Sequence, residues 1–317
     1  MVGRVASLAA MRVGVVDLGT NSTRLLVADV HDGRVDEVAR RLTITRLGEG
    51  VDERRKLLPL PMARVRNVLA DYRRELDELG AERVLAIGTS AVRDAENGEA
   101  FLGEIEWSYG FSTRLLRGEE EAMLTFRGVA DGRSLGAETL VLDVGGGSTE
   151  LISDGVHASL DIGSVRLTER FVHSDPPTRD ELEACAQAVH GVLPAELQPT
   201  RAIGVAGTVT TLPALELGEY DPELVHGYRI TRDAVERQLD RLASLPLAQR
   251  RELPGLEPER APVIIAGAVI VREVLDRYSL DAIEASERDL LHGTALEASM
   301  LPEPEEGDAP PGAYTCC

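Results

Sequence analysis

Asp17 and Asp143 each end an apolar, β-branched run and precede a turn of small residues. The first copy reads Val13-Gly14-Val15-Val16-Asp17-Leu18-Gly19-Thr20-Asn21-Ser22-Thr23-Arg24. The second reads Leu140-Val141-Leu142-Asp143-Val144-Gly145-Gly146-Gly147-Ser148-Thr149-Glu150, and a further apolar run follows each. Two such runs joined by small residues predict a tight β-hairpin, because glycine tolerates the left-handed backbone that such turns need. Successive N–H groups in a turn of this kind converge, and such a ring suits phosphate oxygens. Two copies predict two related half-domains that clamp a polyanion between their hairpins. The phosphate-binding candidates are Gly19, Asn21 and Ser22 in one turn, and Gly145, Gly146, Gly147 and Ser148 in the other. The copies differ where Arg24 matches Glu150. Arg24 offers a cation for phosphate, whereas Asp143 and Glu150 offer hard oxygens for Mg²⁺ or Mn²⁺. Two roles are open to Asp17: a third metal ligand, or a cap on its own turn.

Composition narrows the classes. The 317 residues carry a net charge of −20, which argues against general nucleic-acid binding, since that needs a basic face. It also repels a polyanion at long range, so a phosphate site here must be locally positive, built from N–H groups, Arg and a divalent cation. Lys56 is the only lysine, so nearly every cation is a fork-shaped guanidinium. The longest apolar stretches, such as Pro262 to Val271, are too short to span a bilayer. Met1 to Ala10 lacks the apolar core of a signal peptide. Cys185, Cys316 and Cys317 form no disulfide framework, which points to a reducing cytoplasm. The six His residues show no ligand spacing, so no zinc site is implied.

The surrounding elements alternate in kind. Val35 to Ile44 reads as a third strand, and Pro61 to Leu79 has apolar residues at helical spacing with Gly80 as its stop. Val84 to Ser90 is a short buried strand opening a helix from Ala91. Phe111 to Leu116 is another strand, and Gly118 to Val129 a helix. The second half repeats the plan: a strand around His157 to Ile162, helices from Gly163 and across Asp180 to Leu193, a strand at Ala202 to Ala206, and an apolar helix over Pro262 to Tyr278. The Pro-, Glu- and Gly-rich tail, 302–317, is expected to be disordered.

These motifs resemble those of the exopolyphosphatases and guanosine pentaphosphate phosphohydrolases. Besides both hairpins, the resemblance rests on Arg117-Gly118-Glu119-Glu120-Glu121-Ala122, where the family pattern begins with Ser, and on Ala86 to Arg93. Ile162 to Arg166 and Gly204 to Leu212 match later glycine-containing turns, and the whole covers about Met11 to Ala298. The resemblance implies an α/β fold of two actin-like (ribonuclease H-like) domains with an interdomain cleft. Domain I would span 11–126 and domain II 127–286, with a last helix, 290–300, returning to domain I.

The implied activity is metal-assisted attack of water on a terminal phosphate of inorganic polyphosphate. The alternatives are guanosine pentaphosphate as substrate or, from another class, an ATP-dependent kinase or nucleotide-gated binding module. Composition alone makes Glu119, Glu120 and Glu121 a solvated first turn favoured by the helix dipole. The resemblance instead selects Glu121 as the base that deprotonates water. It also places Arg93 on the phosphate chain, with Arg166 and Arg24 in similar roles. Ser286 to Gly293 departs from the family ending and receives no catalytic role. Longer relatives carry extra helical domains, so a chain of this length is expected to favour short polyphosphates unless homodimerisation extends the groove.

Overall fold

The computed structural model describes residues 10–132, 134–153 and 155–302. All but the first residue of the 302–317 tail, and Cys316 and Cys317 with it, lie outside the described residues. The first half runs β1 (Met11–Leu18), β2 (Ser22–His31), β3 (Arg34–Ile44), α1 (Val51–Arg54), α2 (Pro59–Glu78), β4 (Arg83–Gly88), α3 (Ser90–Asp94), α4 (Gly98–Tyr109), β5 (Ser112–Leu115) and α5 (Gly118–Ala130). The second runs β6 (Thr139–Val144), β7 (Thr149–Ser153), β8 (Val156–Leu160), α6 (Ser164–Phe171), α7 (Arg179–His190), β9 (Arg201–Val205), α8 (Ala206–Leu217), α9 (Pro222–Val225) and β10 (Arg229–Thr231). It continues with α10 (Arg232–Ser244), α11 (Leu247–Arg250), α12 (Ile264–Arg277), β11 (Ala282–Ala285) and α13 (Leu290–Ala298).

The sheet orders are β3-β2-β1-β4-β5 and β10-β11-β9-β6-β7-β8. Read in reverse, the second sheet repeats the first strand for strand, with β10 added at its edge. The duplicated hairpin is therefore the visible part of a duplicated α/β unit, the actin-like fold. β1 and β6 are central and flanked on both sides, which their near-continuous apolar sequence requires. The hairpin registers put Asp17 opposite Arg24 and Asp143 opposite Glu150. The one difference between the motif copies thus falls at equivalent cross-strand positions.

Two strands escape the sequence pattern. β10 and β11 have three and four residues, too few for an alternation to show, and their neighbours define them. The Gly204–Leu212 segment, expected as a turn, leaves β9 and becomes the start of α8. Among the described residues no helix is long and apolar enough to cross a membrane.

The last helix, α13, lies against the first sheet and α5. Leu290, Leu291 and Ala295 join Val13, Val15, Leu26 and Leu124 in one core. The α5–α13 contact is backbone-close: a Cβ on Gly128 would overlap the Asp289 carbonyl, and one on Gly293 the Leu124 carbonyl. Because α5 also carries Glu121, this contact fixes the candidate base. Gly293→Ala is expected to cost about 1–3 kcal/mol through overpacking, read as a lower urea midpoint. An unchanged midpoint would show that the helices separate freely.

Candidate active site

Both hairpin turns have their carbonyls bonded from behind. In the first, Thr20 O accepts from Gly48 N at 2.8 Å, and Asn21 O from Thr45 N and Arg46 N at 3.1 and 2.9 Å. In the second, Gly145 O accepts from Ser164 N at 2.9 Å and Gly146 O from Val165 N at 2.8 Å, while Gly147 O accepts from Arg166 Nε at 2.6 Å. A peptide whose oxygen faces one way presents its N–H the other way, so the next residues' amides turn toward the opposite hairpin. No backbone acceptor among the described residues takes the N–H groups of Gly146 and Gly147. The Asn21 side-chain nitrogen is likewise buried without a partner. The turns nearly touch: a Cβ on Gly146 would stand 2.9 Å from Thr20 Cβ, and one on Gly147 2.8 Å from Thr20 Oγ1. None of Gly19, Gly145, Gly146 and Gly147 has the left-handed backbone expected of the turns; what requires glycine at 146 and 147 is the close approach of the Thr20 and Ser90 side chains.

A cleft of about 950 Å³ opens between these turns. Asp17, Gly19, Asn21, Ser22, Arg24, Glu121, Asp143, Gly145, Gly146, Gly147 and Ser148 all line it. Glu150, Arg93 and Arg166 do not. Glu150 is 1% exposed beneath the floor and accepts from Ser159 Oγ at 2.8 Å. Arg93 stands behind Glu121, donating to Glu121 Oε2 at 3.0 Å and to Leu116 O at 2.9 Å. Arg166 lies behind the glycine turn.

The acids of the site are perturbed by their surroundings. Glu121 is 7% exposed, and burial pushes its pKa up to about 7, opposed by Arg93 and assisted by Asp143 and Asp17. Burial also raises Asp143 to about 6, against the pull of Arg24 and with Asp289 adding to the rise. Glu150 is raised well above the ordinary glutamate value by burial and by the neighbouring Glu121 and Asp143. A carboxylate titrating near neutrality in a polar cleft suits proton abstraction, and α5 aims it there.

Arg24 is committed to carboxylates. Its Nε donates to Asp17 Oδ2 at 2.8 Å, and its terminal nitrogen pairs with Asp289. Arg40 adds a contact to Asp289 at 3.2 Å and to the Glu287 carbonyl at 2.7 Å. Burial works against the Asp289 charge, but Arg24 and Arg40 hold that carboxyl well below its usual range. Asp289, Arg40 and Arg288 line the cleft and were missed in the sequence. An Asp directly before the apolar Leu290-Leu291 pair signals a helix N-cap, and Asp289 Oδ1 does accept from Leu291 N at 3.0 Å. Nothing local announces that its other oxygen meets Arg24, 265 residues away.

The donor set fits a hard divalent cation. Asp17 Oδ1 is buried with no hydrogen-bond partner, and Asp143 faces the same cleft. Carboxylates outnumber guanidiniums along the lining, so a bound polyanion needs added positive charge. Among the described residues no three His, Cys, Asp or Glu side chains gather as a ready-made ligand group. Water and ligand phosphates would complete the shell, as is usual for Mg²⁺.

Known proteins resemble this chain in sequence and fold. The Ppx/GppA phosphatase family profile matches residues 26–301. Exopolyphosphatase 2 of Mycobacterium tuberculosis is 40% identical over 317 aligned residues, covering 91% of this chain and 99% of the relative. A guanosine-5'-triphosphate,3'-diphosphate pyrophosphatase of Vibrio vulnificus is 30% identical over 305, covering 92% of this chain and 60% of its own length. The crystal structure of the Aquifex aeolicus Ppx/GppA family member superposes with a TM-score of 0.77 at 32% identity, over 92% of this chain and 98% of that one. With its duplicated hairpins, facing turns and near-complete coverage by these relatives, the chain belongs to the Ppx/GppA phosphatase family.

Proposed function

We propose that the protein is an exopolyphosphatase that hydrolyses the terminal phosphoanhydride of inorganic polyphosphate. The observation that carries this reading is Glu121, a buried carboxylate titrating near neutrality, placed in one cleft with two turns that offer inward N–H groups. Hydrolysis requires a held phosphoryl, an oriented water and a proton acceptor. The amides of Gly146, Gly147, Ser148 and the Thr20–Asn21 turn would grip the terminal phosphoryl oxygens, with the Asn21 side-chain amide and the Ser22 hydroxyl beside them. Glu121 would take the proton from water as its oxygen bonds to phosphorus. The bridging P–O bond then breaks, releasing orthophosphate and a chain one unit shorter.

Asp143 and Asp17 would hold Mg²⁺ or Mn²⁺, with Glu150 behind them. When bound, the cation supplies positive charge that neutralises the phosphoryl oxygens. Arg24 keeps the Asp17 carboxylate in place, and Arg93 keeps Glu121 ionisable despite its burial. The resemblance to a guanosine pentaphosphate hydrolase makes that nucleotide the second substrate to assay, beside tripolyphosphate and long polyphosphate. With carboxylates dominating the lining, little outside the turns attracts a long polyanion, so short chains should compete well.

Glu121→Gln is expected to lower kcat by about 10²–10⁴ while phosphate binding and the thermal midpoint stay near wild type. Near-full activity would remove Glu121 from the base role. The pH profile carries a second test. The base works only when ionised, so kcat/KM should fall tenfold per pH unit on the acid side, with its inflection near the Glu121 value of about 7. Arg93→Gln should move that inflection to higher pH, because the cation opposing the burial effect is gone; an unmoved limb would assign it to another group. Activity should vanish on chelation and return with Mg²⁺ or Mn²⁺. Asp143→Asn should raise the metal concentration for half-maximal rate; a metal-independent rate in the wild type would remove the cation from the mechanism.

A further inference from the structure

Arg166 does not reach the cleft, although its position in a glycine-rich motif suggests a phosphate ligand. It is 7% exposed on α6, and its Nε donates to Gly147 O at 2.6 Å. One terminal nitrogen pairs with Asp52 on α1 and the other with Asp94 on α3, both from the opposite half of the molecule. Arg170, one turn further along α6, holds Asp52 from a second direction at 2.5 and 2.6 Å. Beside them Glu169 Oε1 accepts from Gly50 N at 3.1 Å. The free space among Arg166, Asp52, Asp94 and Ser90 is about 10 Å³. That is room for one water at most and not for a phosphate group. Two guanidiniums meeting two carboxylates also leave no surplus charge for an anion.

We infer that Arg166, Asp52 and Asp94 form a positioning unit for the phosphate turn. The Gly147 carbonyl can be held toward α6 only by the Arg166 side chain, since the α6 backbone amides are taken by Gly145 and Gly146. Holding that oxygen back turns the following N–H, that of Ser148, out of the α6 side. The same guanidinium spans to α1 and α3, so the turn is oriented relative to the opposite hairpin as well as to its own sheet. A free Gly-Gly-Gly segment samples many backbone states; the α6 backbone amides fix its first two peptides, and Arg166 fixes the last, so that the Ser148 N–H faces away from α6 before ligand arrives. Preorganisation of this kind shows as affinity. A lysine cannot replace it, because one ammonium cannot span Gly147 O and two carboxylates at fixed fork geometry. The inference rests on the reading that the turns bind phosphate, and it assigns Arg166 to their support and not to contact.

The test is calorimetric titration of inorganic phosphate, at saturating Mg²⁺, into wild type, Arg166→Gln, Arg166→Lys and the double variant Asp52→Asn/Asp94→Asn. All three variants should bind phosphate at least tenfold more weakly. KM for tripolyphosphate should rise alongside, while the acid limb of the pH profile stays in place. Should the double variant unfold, Asp94→Asn alone leaves Asp52 held by Arg170 and should still weaken phosphate severalfold. Direct contact between Arg166 and phosphate predicts the opposite sign: removing its carboxylate partners frees the guanidinium, and affinity holds or tightens. That result overturns the inference, as does a lowered thermal midpoint with unchanged phosphate affinity in the folded protein. Phosphate binding by a wild type that hydrolyses nothing would fail the hydrolase reading and leave this inference standing; no phosphate binding by the wild type would overturn it.

Discussion

A peptide plane has one oxygen and one N–H on opposite sides, and the site follows from that constraint. Wherever the carbonyls of a turn are anchored on one side, its amides must face the other. Here Gly145, Gly146 and Gly147 are anchored by α6, and Thr20 and Asn21 by the segment around Thr45 to Gly48. The two turns line one cleft and meet at its edge, where a Cβ at 146 or 147 would run into the Thr20 and Ser90 side chains. The duplicated sheets are the scaffold that brings the anchored turns face to face, and the central, buried β1 and β6 set their height.

Burial then sets the chemistry. Removing carboxylates from water raises their pKa values, and neighbouring charge decides how far. Arg24 and Arg40 hold Asp289 below its usual range, whereas burial and the neighbouring Glu121 and Asp143 raise Glu150 against the hydrogen bonds of Ser159 and Ser148. Glu121 falls between these limits because Arg93 offsets part of its desolvation. Neighbouring charge thereby spreads the buried acids apart, with Asp289 lowered, Glu150 raised and Glu121 left near neutrality for the base role. α13 contributes from a distance: it places Asp289 on Arg24 and, through Gly128 and Gly293, presses on the helix that carries Glu121.

Legibility in the sequence tracks locality. The hairpins, Asp17, Asp143 and the glycine turns lie within runs of about a dozen residues, so composition and repetition disclose them, and the structure gathers them in one cleft. The strands β10 and β11 are too short to carry a pattern. The three arginines show a different limit. Each stands in a motif whose context suggests phosphate, yet Arg24 answers to Asp17 and Asp289, Arg93 to Glu121, and Arg166 to Asp52 and Asp94. An arginine's partner is fixed by tertiary contact, and in a chain with 54 acidic residues a nearby carboxylate is the common outcome. Glu150 illustrates the same point for an acid: its register opposite Asp143 is readable, its position beneath the cleft floor is not.

The central claim is that the cleft grips a terminal phosphoryl group and directs water onto it. Its most direct measurement is hydrolysis of tripolyphosphate with Mg²⁺ in ¹⁸O-enriched water, with no other acceptor present, followed by mass analysis of both products. Attack at the terminal phosphorus places a single ¹⁸O in each orthophosphate released and none in the pyrophosphate left behind. Label in the pyrophosphate, or phosphate released only when another acceptor is supplied, would contradict it.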